Sequence, residues 1–101
     1  MRTRPCAVYI LTTSKNTALY VGVTNNLERR LFEHRVSGRK GFTRRYAITK
    51  LVHVEWFEQI VPAIAREKQL KAGSRRRKVD LITAGNPEWR ELSPTPSLRG
   101  P

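Results

Sequence analysis

Two short apolar runs near the start of the chain predict a β-hairpin. They cover residues 6–11 and 18–23, and both are rich in β-branched and aromatic residues. The polar stretch 12–17 between them forms a longish turn that allows the two strands to pair. A third run of the same kind, at 51–57, predicts one more strand.

Three further segments have the spacing of helices and are bounded by residues that cap or end helices. A first helix is predicted over 27–36, directly after two asparagines that are good N-caps. Pro62 suits the first turn of a second helix that ends near residue 72. A Gly-Ser pair separates it from a third helix over 75–84, which a Gly-Asn-Pro run ends.

The order of these elements, ββαβαα, predicts an α+β fold. We expect a small three-stranded, mostly antiparallel sheet with the helices packed against it. The folded domain is expected to cover 1–92, with Trp89 and Leu92 folding back on the core. Segment 37–45 contains two glycines and four cations and predicts an exposed loop, and the Pro-, Ser- and Gly-rich tail 93–101 is expected to be disordered.

The charge of the chain favours a polyanionic partner. Its 101 residues contain 20 Lys and Arg but only 8 Asp and Glu, a formal charge of +12. This charge indicates DNA, RNA or, less readily, an anionic membrane surface, although an arginine-rich composition alone would also produce it. No apolar run approaches the ~20 residues that cross a bilayer, and the N-terminal run is typical of a strand rather than of a signal peptide, so we expect a cytoplasmic, nucleoid-associated protein.

The scarcity of certain residue types excludes several kinds of site. The single cysteine excludes an internal disulfide and a cysteine-rich zinc site, and two histidines exclude a His-rich metal site. With one aspartate, a cluster of several aspartates around metal ions is excluded as well. An enzyme of this composition has to work with Arg, Lys, Tyr, His and Glu.

The first predicted helix carries two polar residues on its apolar face. Arg30 and His34 lie within about 100° of Leu27 and Leu31 on a helical wheel, and they are i, i+4 neighbours whose side chains can converge. A guanidinium in that position either finds an anion or a carboxylate, or extends along the sheet to solvent.

A carboxylate interrupts the predicted inward stripe of the second helix. The apolar and basic residues of that stripe are Ile60, Ala63, Ile64, Leu70 and Lys71. Glu67 lies in the middle of it, and a buried carboxylate has to be paired or bound to a cation. The two interpretations are a metal ligand and a salt bridge to Arg30 or another arginine.

Two tyrosines stand on the predicted hairpin. Tyr9 shares a face of its strand with Ala7 and Leu11, and Tyr20 shares a face with Ala18 and Gly22. The small residues beside Tyr20 predict space above the sheet for something other than protein. The alternative is that both rings are ordinary sheet residues with solvated hydroxyls.

Together these residues resemble the GIY-YIG nuclease superfamily. Ala7-Val8-Tyr9 and Tyr20-Val21-Gly22 resemble its paired signature, and YVGVTNNLERRLFEHR, REKQLK and NPEWREL are similar to its stand-alone, single-domain bacterial members over 6–92. Arg30, His34 and Glu67 stand at the positions of the family's functional residues. The chain departs from the pattern in Ala7, which replaces a glycine, and at Gly73-Ser74, which replaces a tryptophan and is expected to loosen the helix junction.

The resemblance implies a metal-dependent endonuclease that hydrolyses phosphodiester bonds. Glu67 would hold one Mg²⁺ or Mn²⁺ ion, and Arg30 would bind the non-bridging phosphate oxygens as charge develops. Either Tyr9 or Tyr20 would be the base, with Tyr20 favoured. Because a tyrosine ordinarily ionises near pH ~10, that base needs neighbouring positive charge. His34 would orient the base or contact the phosphate.

Basic residues outside these positions are candidates for nucleic-acid binding. They are Arg39, Lys40, Arg44, Arg45, Arg75, Arg76, Arg77 and Lys78. Their contacts would be to phosphates, which give affinity without sequence information, or they form a solvated charged face. A domain without an appended reader is expected to select DNA by its structure, in repair or recombination, with RNA as an alternative substrate.

Two other kinds of function fit the same sequence. One is a non-catalytic nucleic-acid-binding module that retains the nuclease fold. The other is an adaptor that uses the Pro-rich tail or the surface tryptophans Trp56 and Trp89. Tyr9, Tyr20, Arg30, His34 and Glu67 together favour the enzyme, because a binding module needs no such set. The oligomeric state stays open, since no segment resembles a dimerisation heptad.

Overall fold

The sheet of the protein has its first strand in the centre. A computed structural model describes residues 5–38 and 47–95. The strands are β1 (Cys6–Thr12), β2 (Leu19–Thr24) and β3 (Lys50–Phe57), and they form one antiparallel sheet in the order β2-β1-β3. The predicted α+β fold is confirmed.

Three helices complete the fold in the predicted order. They are α1 (Leu27–Gly38), α2 (Ile60–Ala72) and α3 (Arg75–Gly85). The bounds of most elements lie within two residues of the predicted ones. Helix α1 continues to Gly38, so the prediction that the exposed loop begins at residue 37 is wrong by two residues; the rest of that loop, 39–45, lies outside the described residues.

Strand β1 is buried along its whole length because helices cover both faces of the sheet. On one face, Tyr9 and Leu11 pack with Leu27 and Leu31 of α1. The residues of the core on the other face include Val8 and Ile10 of β1, Ala63 and Leu70 of α2, and Ile82 of α3. Helix α1 therefore lies on one side of the sheet, and α2 and α3 pack on the other.

A β-bulge interrupts the pairing of β3 with β1 between Leu51 and His53. Ile10 of β1 pairs with His53, but Leu11 pairs with Leu51, so Val52 is the extra residue. Leu51 then lies in the α1 core and Val52 in the opposite one, and both are fully buried.

Side chains accept hydrogen bonds from free backbone amides at the starts of α1 and α3, whereas the N-cap residue of α2, Gln59, makes no such bond. The Asn26 Oδ1 atom accepts from the Arg29 amide at 3.2 Å, as expected of an N-cap. At the junction of α2 and α3, the Ser74 hydroxyl accepts from the Arg77 amide at 3.1 Å, and Lys78 Nζ donates to the Gly73 carbonyl at 2.7 Å. The junction is thus held by specific hydrogen bonds despite the Gly-Ser pair.

The segment after α3 folds back on the sheet through a buried asparagine. Asn86 Nδ2 donates to the Val52 carbonyl at 3.1 Å and to the Arg90 carbonyl at 2.8 Å. Trp89 packs against the core on the α2–α3 side of the sheet, and Leu92 packs against the core on the α1 side. The prediction that these two residues return to the core is confirmed; of the predicted tail 93–101, residues 96–101 lie outside the described part.

The predicted inward stripe of α2 is confirmed in part and wrong in part. Ala63 and Leu70 are buried, but Ile60, Ile64 and Lys71 are exposed. The side of α2 that faces the sheet therefore carries the small residue Ala63, and Ile60 and Ile64 lie outside the core. Among the described helices, none is long and apolar enough to cross a membrane.

Candidate functional site

The phenol of Tyr9 fills the space that the sequence predicts beside Tyr20. Tyr9 pairs with Gly22 across the hairpin, and a Cβ atom on Gly22 would stand only 2.5 Å from Tyr9 Cζ. The prediction of room there for a ligand is therefore wrong, because the glycine accommodates the neighbouring ring. Burial of Tyr9, followed by the nearby phenol of Tyr20, raises the pKa of Tyr9 far above its ordinary value, and Arg30 opposes this rise only in part.

Tyr20 connects Tyr9 to α1. Its ring centroid lies 6.3 Å from that of Tyr9 and 5.0 Å from that of His34, which it meets edge to face. Tyr20 is 41% exposed, whereas Tyr9 is 1% exposed. The hydroxyl-bearing ring that solvent and a substrate can reach is therefore that of Tyr20.

His34 is half-buried on α1, close to Arg30. Burial, and then the positive charge of Arg30, lower the pKa of His34 below its usual value, while Glu33 acts in the opposite direction. The imidazole is consequently neutral around neutral pH, so it acts as a hydrogen-bonding group rather than as a cation.

Arg30 is half-exposed and has a carboxylate partner. Its Nη1 atom lies 3.6 Å from Glu33 Oε1, and the neighbouring Arg29 Nε donates to Glu33 Oε2 at 3.3 Å. Arg30 thus pairs with a carboxylate and also reaches solvent, so the structure combines the two alternatives that the sequence left open. The sequence interpretation overlooked Glu33, although its i+3 and i+4 spacing from the two arginines signals the pairs.

Glu67 on α2 acts electrostatically on the hairpin. The pKa of Tyr9 is raised mainly by burial, and the Glu67 carboxylate adds a small contribution. The pKa of Lys71 is raised mainly by its hydrogen bond to Glu67, with a small contribution from Tyr20, so this part of α2 lies within electrostatic reach of the hairpin. The Glu67 side chain is 13% exposed, and its Oε2 atom lies 2.6 Å from Lys71 Nζ. Of the two alternatives for Glu67, the salt bridge is present, but its partner is a lysine one turn along the same helix instead of an arginine.

The residues present fit a single divalent ion but no larger metal centre. In the described ranges there is no cluster of three His, Cys, Asp or Glu side chains. Glu67 is one hard oxygen donor, and Mg²⁺ binds through one or two carboxylates while keeping water or phosphate oxygens as its other ligands. The Lys71 ammonium pairs with this carboxylate, so a divalent ion that bound Glu67 would take its place.

A charged cluster that the sequence did not reveal connects β3 to α2. Glu55 on β3 accepts from Arg66 Nε at 2.8 Å and Nη2 at 3.0 Å, and it contacts His53 Nε2 at 2.8 Å. Burial alone would raise the pKa of Glu55, but the hydrogen bonds from Arg66 and His53 outweigh it and lower that pKa. This pair joins β3 to α2 at the residue directly before Glu67.

The basic residues predicted to bind nucleic acid are only partly described. Arg39, Lys40, Arg44 and Arg45 lie outside the described residues. Of the four in α3, Arg76 pairs with Asp80 at 3.6 Å, and Lys78 donates to the Gly73 carbonyl. Arg77 and Lys78 line a groove of about 180 Å³ on the α2–α3 side of the sheet, so they do not join the tyrosines and α1.

Ring contacts therefore connect Tyr9, Tyr20 and His34, and Arg30 and Glu67 lie within electrostatic reach of Tyr9. A family model described as the GIY-YIG catalytic domain matches residues 5–80, which include all of them. The chain belongs to the GIY-YIG family. Membership in this family implies nuclease activity for the domain.

Similar proteins support the membership. The chain is 45% identical over 83 residues to a UPF0213 protein of Syntrophus aciditrophicus, covering 80% of this chain and 92% of the relative. It is 40% identical over 77 residues to a UPF0213 protein of Clostridium perfringens, covering 76% and 82%. The solution NMR structure of a UPF0213 protein of Bacillus halodurans is 26% identical with a TM-score of 0.56, covering 86% and 92%. These relatives are small GIY-YIG proteins of one domain.

Proposed function

We propose that this GIY-YIG domain is a divalent-metal-dependent DNA endonuclease. It hydrolyses phosphodiester bonds, selects its substrate by structure rather than sequence, and acts in repair or recombination in the cytoplasm, on the nucleoid. The observation that carries the proposal is the contact of Tyr20 with His34, with Tyr9 beside it and with Arg30 and Glu67 within electrostatic reach.

Tyr20 is the general base of this proposal. Its ring is accessible, whereas Tyr9 is buried and holds its proton strongly because its pKa is raised. In its phenolate form, with its own proton already given to solvent, Tyr20 takes a proton from the water that attacks the phosphorus, and the departing ester oxygen takes a proton from solvent. Tyr9 packs under Tyr20 and keeps its ring in position.

Arg30 and His34 serve the phosphate and the base. Arg30 exchanges Glu33 for the non-bridging oxygens, whose negative charge grows as the water attacks. The neutral imidazole of His34 contacts the Tyr20 ring and holds it in line with the phosphate. Glu67 would hold the divalent ion, which supplies Lewis-acid stabilisation of the phosphate when bound.

The ion pair of Glu67 favours a second candidate, a nucleic-acid-binding module without activity. A carboxylate that Lys71 neutralises needs no metal ion to be stable. An adaptor function finds less support, because Trp56 and Trp89 are half-buried and pack against the two cores.

A substrate panel separates the enzyme from the module. The protein is incubated with labelled duplex, branched and single-stranded DNA and with RNA, in Mg²⁺, in Mn²⁺ and in EDTA. The enzyme predicts metal-dependent cleavage that is strongest on one DNA structure and that Arg30→Gln slows by at least about 100-fold. Arg90→Gln, at an exposed arginine of the C-terminal segment, is the matched control. Binding without cleavage of any substrate would establish the module instead.

A pair of tyrosine variants tests which phenol is the base. Tyr20→Phe is expected to slow single-turnover cleavage by about 100-fold or more, the usual contribution of a general base. Tyr9→Phe leaves a ring in the same place and is expected to slow it much less. The reverse order would assign the base to Tyr9.

A further inference from the structure

A groove of about 350 Å³ opens at the start of α1, next to the candidate active site. The polar and charged side chains that line it are Thr24, Asn25, Asn26, Arg29, Arg30 and Glu33. Arg30 belongs both to this groove and to the proposed phosphate site, so the two are continuous. The volume lies in the range of small-ligand sites, about 300–1,000 Å³, which is enough for one nucleotide.

The charges in the groove are arranged around one carboxylate. Glu33 lies between Arg29 and Arg30, at 3.3 Å and 3.6 Å from them. The three side chains are 75%, 47% and 48% exposed for Arg29, Glu33 and Arg30, so water weakens both ion pairs. A phosphate group has the charge and the oxygen acceptors to replace this carboxylate between the guanidiniums.

The polar wall of the groove suits the rest of a nucleotide. Asn25 is exposed, and in the described part of the chain its amide side chain makes no hydrogen bond. By contrast, Asn26 and Thr24 are occupied in the local hydrogen bonds before α1. Asn25 can therefore donate to or accept from a sugar or a base edge beside the bound phosphate.

We infer that this groove binds the nucleotide adjacent to the cleaved phosphodiester, an inference that rests on the proposed function of Arg30. Arg29 binds the flanking phosphate, and Glu33 is the internal anion that this phosphate displaces. Arg29 thereby becomes a substrate-binding residue that the sequence did not single out.

Equilibrium binding tests the groove independently of cleavage. A fluorescein-labelled DNA duplex is titrated in EDTA, at salt concentrations from about 50 to 200 mM. Arg29→Gln is expected to weaken binding several-fold and to reduce the slope of log K against log salt by about 0.9, the loss of one phosphate contact. Glu33→Gln is expected to strengthen binding several-fold, because the DNA no longer displaces an anion. A misfolded variant would not bind more tightly.

Lys15→Gln is the matched control, since Lys15 is an exposed cation in the β1–β2 turn, at the opposite end of β2 from the groove. It is expected to change the affinity and the slope much less than Arg29→Gln does. Wild-type affinity and slope in both Arg29→Gln and Glu33→Gln would overturn the inference.

Cleavage of the panel distinguishes this failure from that of the proposed function. If the wild-type protein cleaves DNA but the two groove variants bind like it, the groove inference is wrong and the nuclease proposal stands. If the groove variants shift binding in opposite directions but no substrate is cleaved, the groove binds DNA phosphate and the nuclease proposal is wrong.

Discussion

Gly22→Ala is expected to destabilise the protein because the added methyl group would collide with the ring of Tyr9. The new methyl group would stand 2.5 Å from Tyr9 Cζ and still nearer its hydroxyl. Tyr9 has no free direction in which to move, since it is 1% exposed and packs in the core with Leu11, Leu27 and Leu31. The added atom therefore forces either the ring or the β1–β2 pairing out of place.

The size of the effect follows from overpacking of a filled core. Adding a methylene-sized group to such a core costs about 1–3 kcal/mol of unfolding free energy, and this contact lies at the severe end. For a domain of this length, each kcal/mol lowers the melting temperature by about 4–8 °C. We expect Gly22→Ala to melt about 10–20 °C below the wild type.

Thermal unfolding followed by circular dichroism measures this change, and another glycine supplies the control. A Cβ atom on Gly85, at the end of α3, meets nothing within 4 Å, so Gly85→Ala should leave the melting temperature unchanged or raise it. Adding Tyr9→Phe to Gly22→Ala removes the nearest atom and should restore part of the loss. Equal melting temperatures for Gly22→Ala and the wild type would refute this account of the hairpin.

Three further predictions concern polar groups that are buried or partly buried. Asn86→Ala removes the donor to a buried carbonyl of β3, so the free energy of unfolding measured in urea should fall by about 2–4 kcal/mol. A loss below about 0.5 kcal/mol would contradict the importance of these hydrogen bonds. Arg66→Met should cost about 1–2 kcal/mol at neutral pH, discounted for partial exposure. The pKa of Glu55 is lowered in the folded state, so the stability that the wild type has over Arg66→Met should be lost as pH falls through that pKa. A stability difference that persists in strong acid would contradict the pairing. The raised pKa of Tyr9 means that only the unfolded chain ionises this group above pH ~10, so stability should fall there as pH rises; an equal fall in Tyr9→Phe would contradict this.

The elements of the fold follow directly from local patterns. Strand β1 reads as an apolar run because both of its faces are buried, and the asparagine pair before α1 contains the residue that caps it. Asn86 looked only like part of a helix stop, since its bonds to Val52 and Arg90 depend on the fold of the segment that follows.

The rotation of α2 could not be read from hydrophobicity alone. Ile60 and Ile64 are more apolar than Ala63, so the helical wheel favours them for the core. Close packing against the sheet favours the smaller Ala63, and the pair between Glu55 and Arg66 joins β3 to α2 in that orientation. Such a pair joins positions on separate elements, and periodicity carries no signal for it.

The sequence predicts which residues belong to the candidate site better than it predicts what those residues contact. Tyr20 and His34 meet as their positions suggest, but Gly22 serves the Tyr9 ring rather than a ligand. The partners Glu33 and Lys71 lie at helical spacing from Arg30 and Glu67 and could have been identified from the sequence.

Single-turnover cleavage by Glu67→Gln, measured beside DNA binding, tests the central claim most directly. The claim is that Glu67 and the hairpin tyrosines form one phosphodiester-cleaving site. Glu58→Gln makes the same chemical change at an exposed position before α2 and is the control. We expect Glu67→Gln to bind DNA as the wild type does but to cleave it at least about 100-fold more slowly in Mg²⁺, while Glu58→Gln cleaves normally. Wild-type cleavage by Glu67→Gln would contradict the claim.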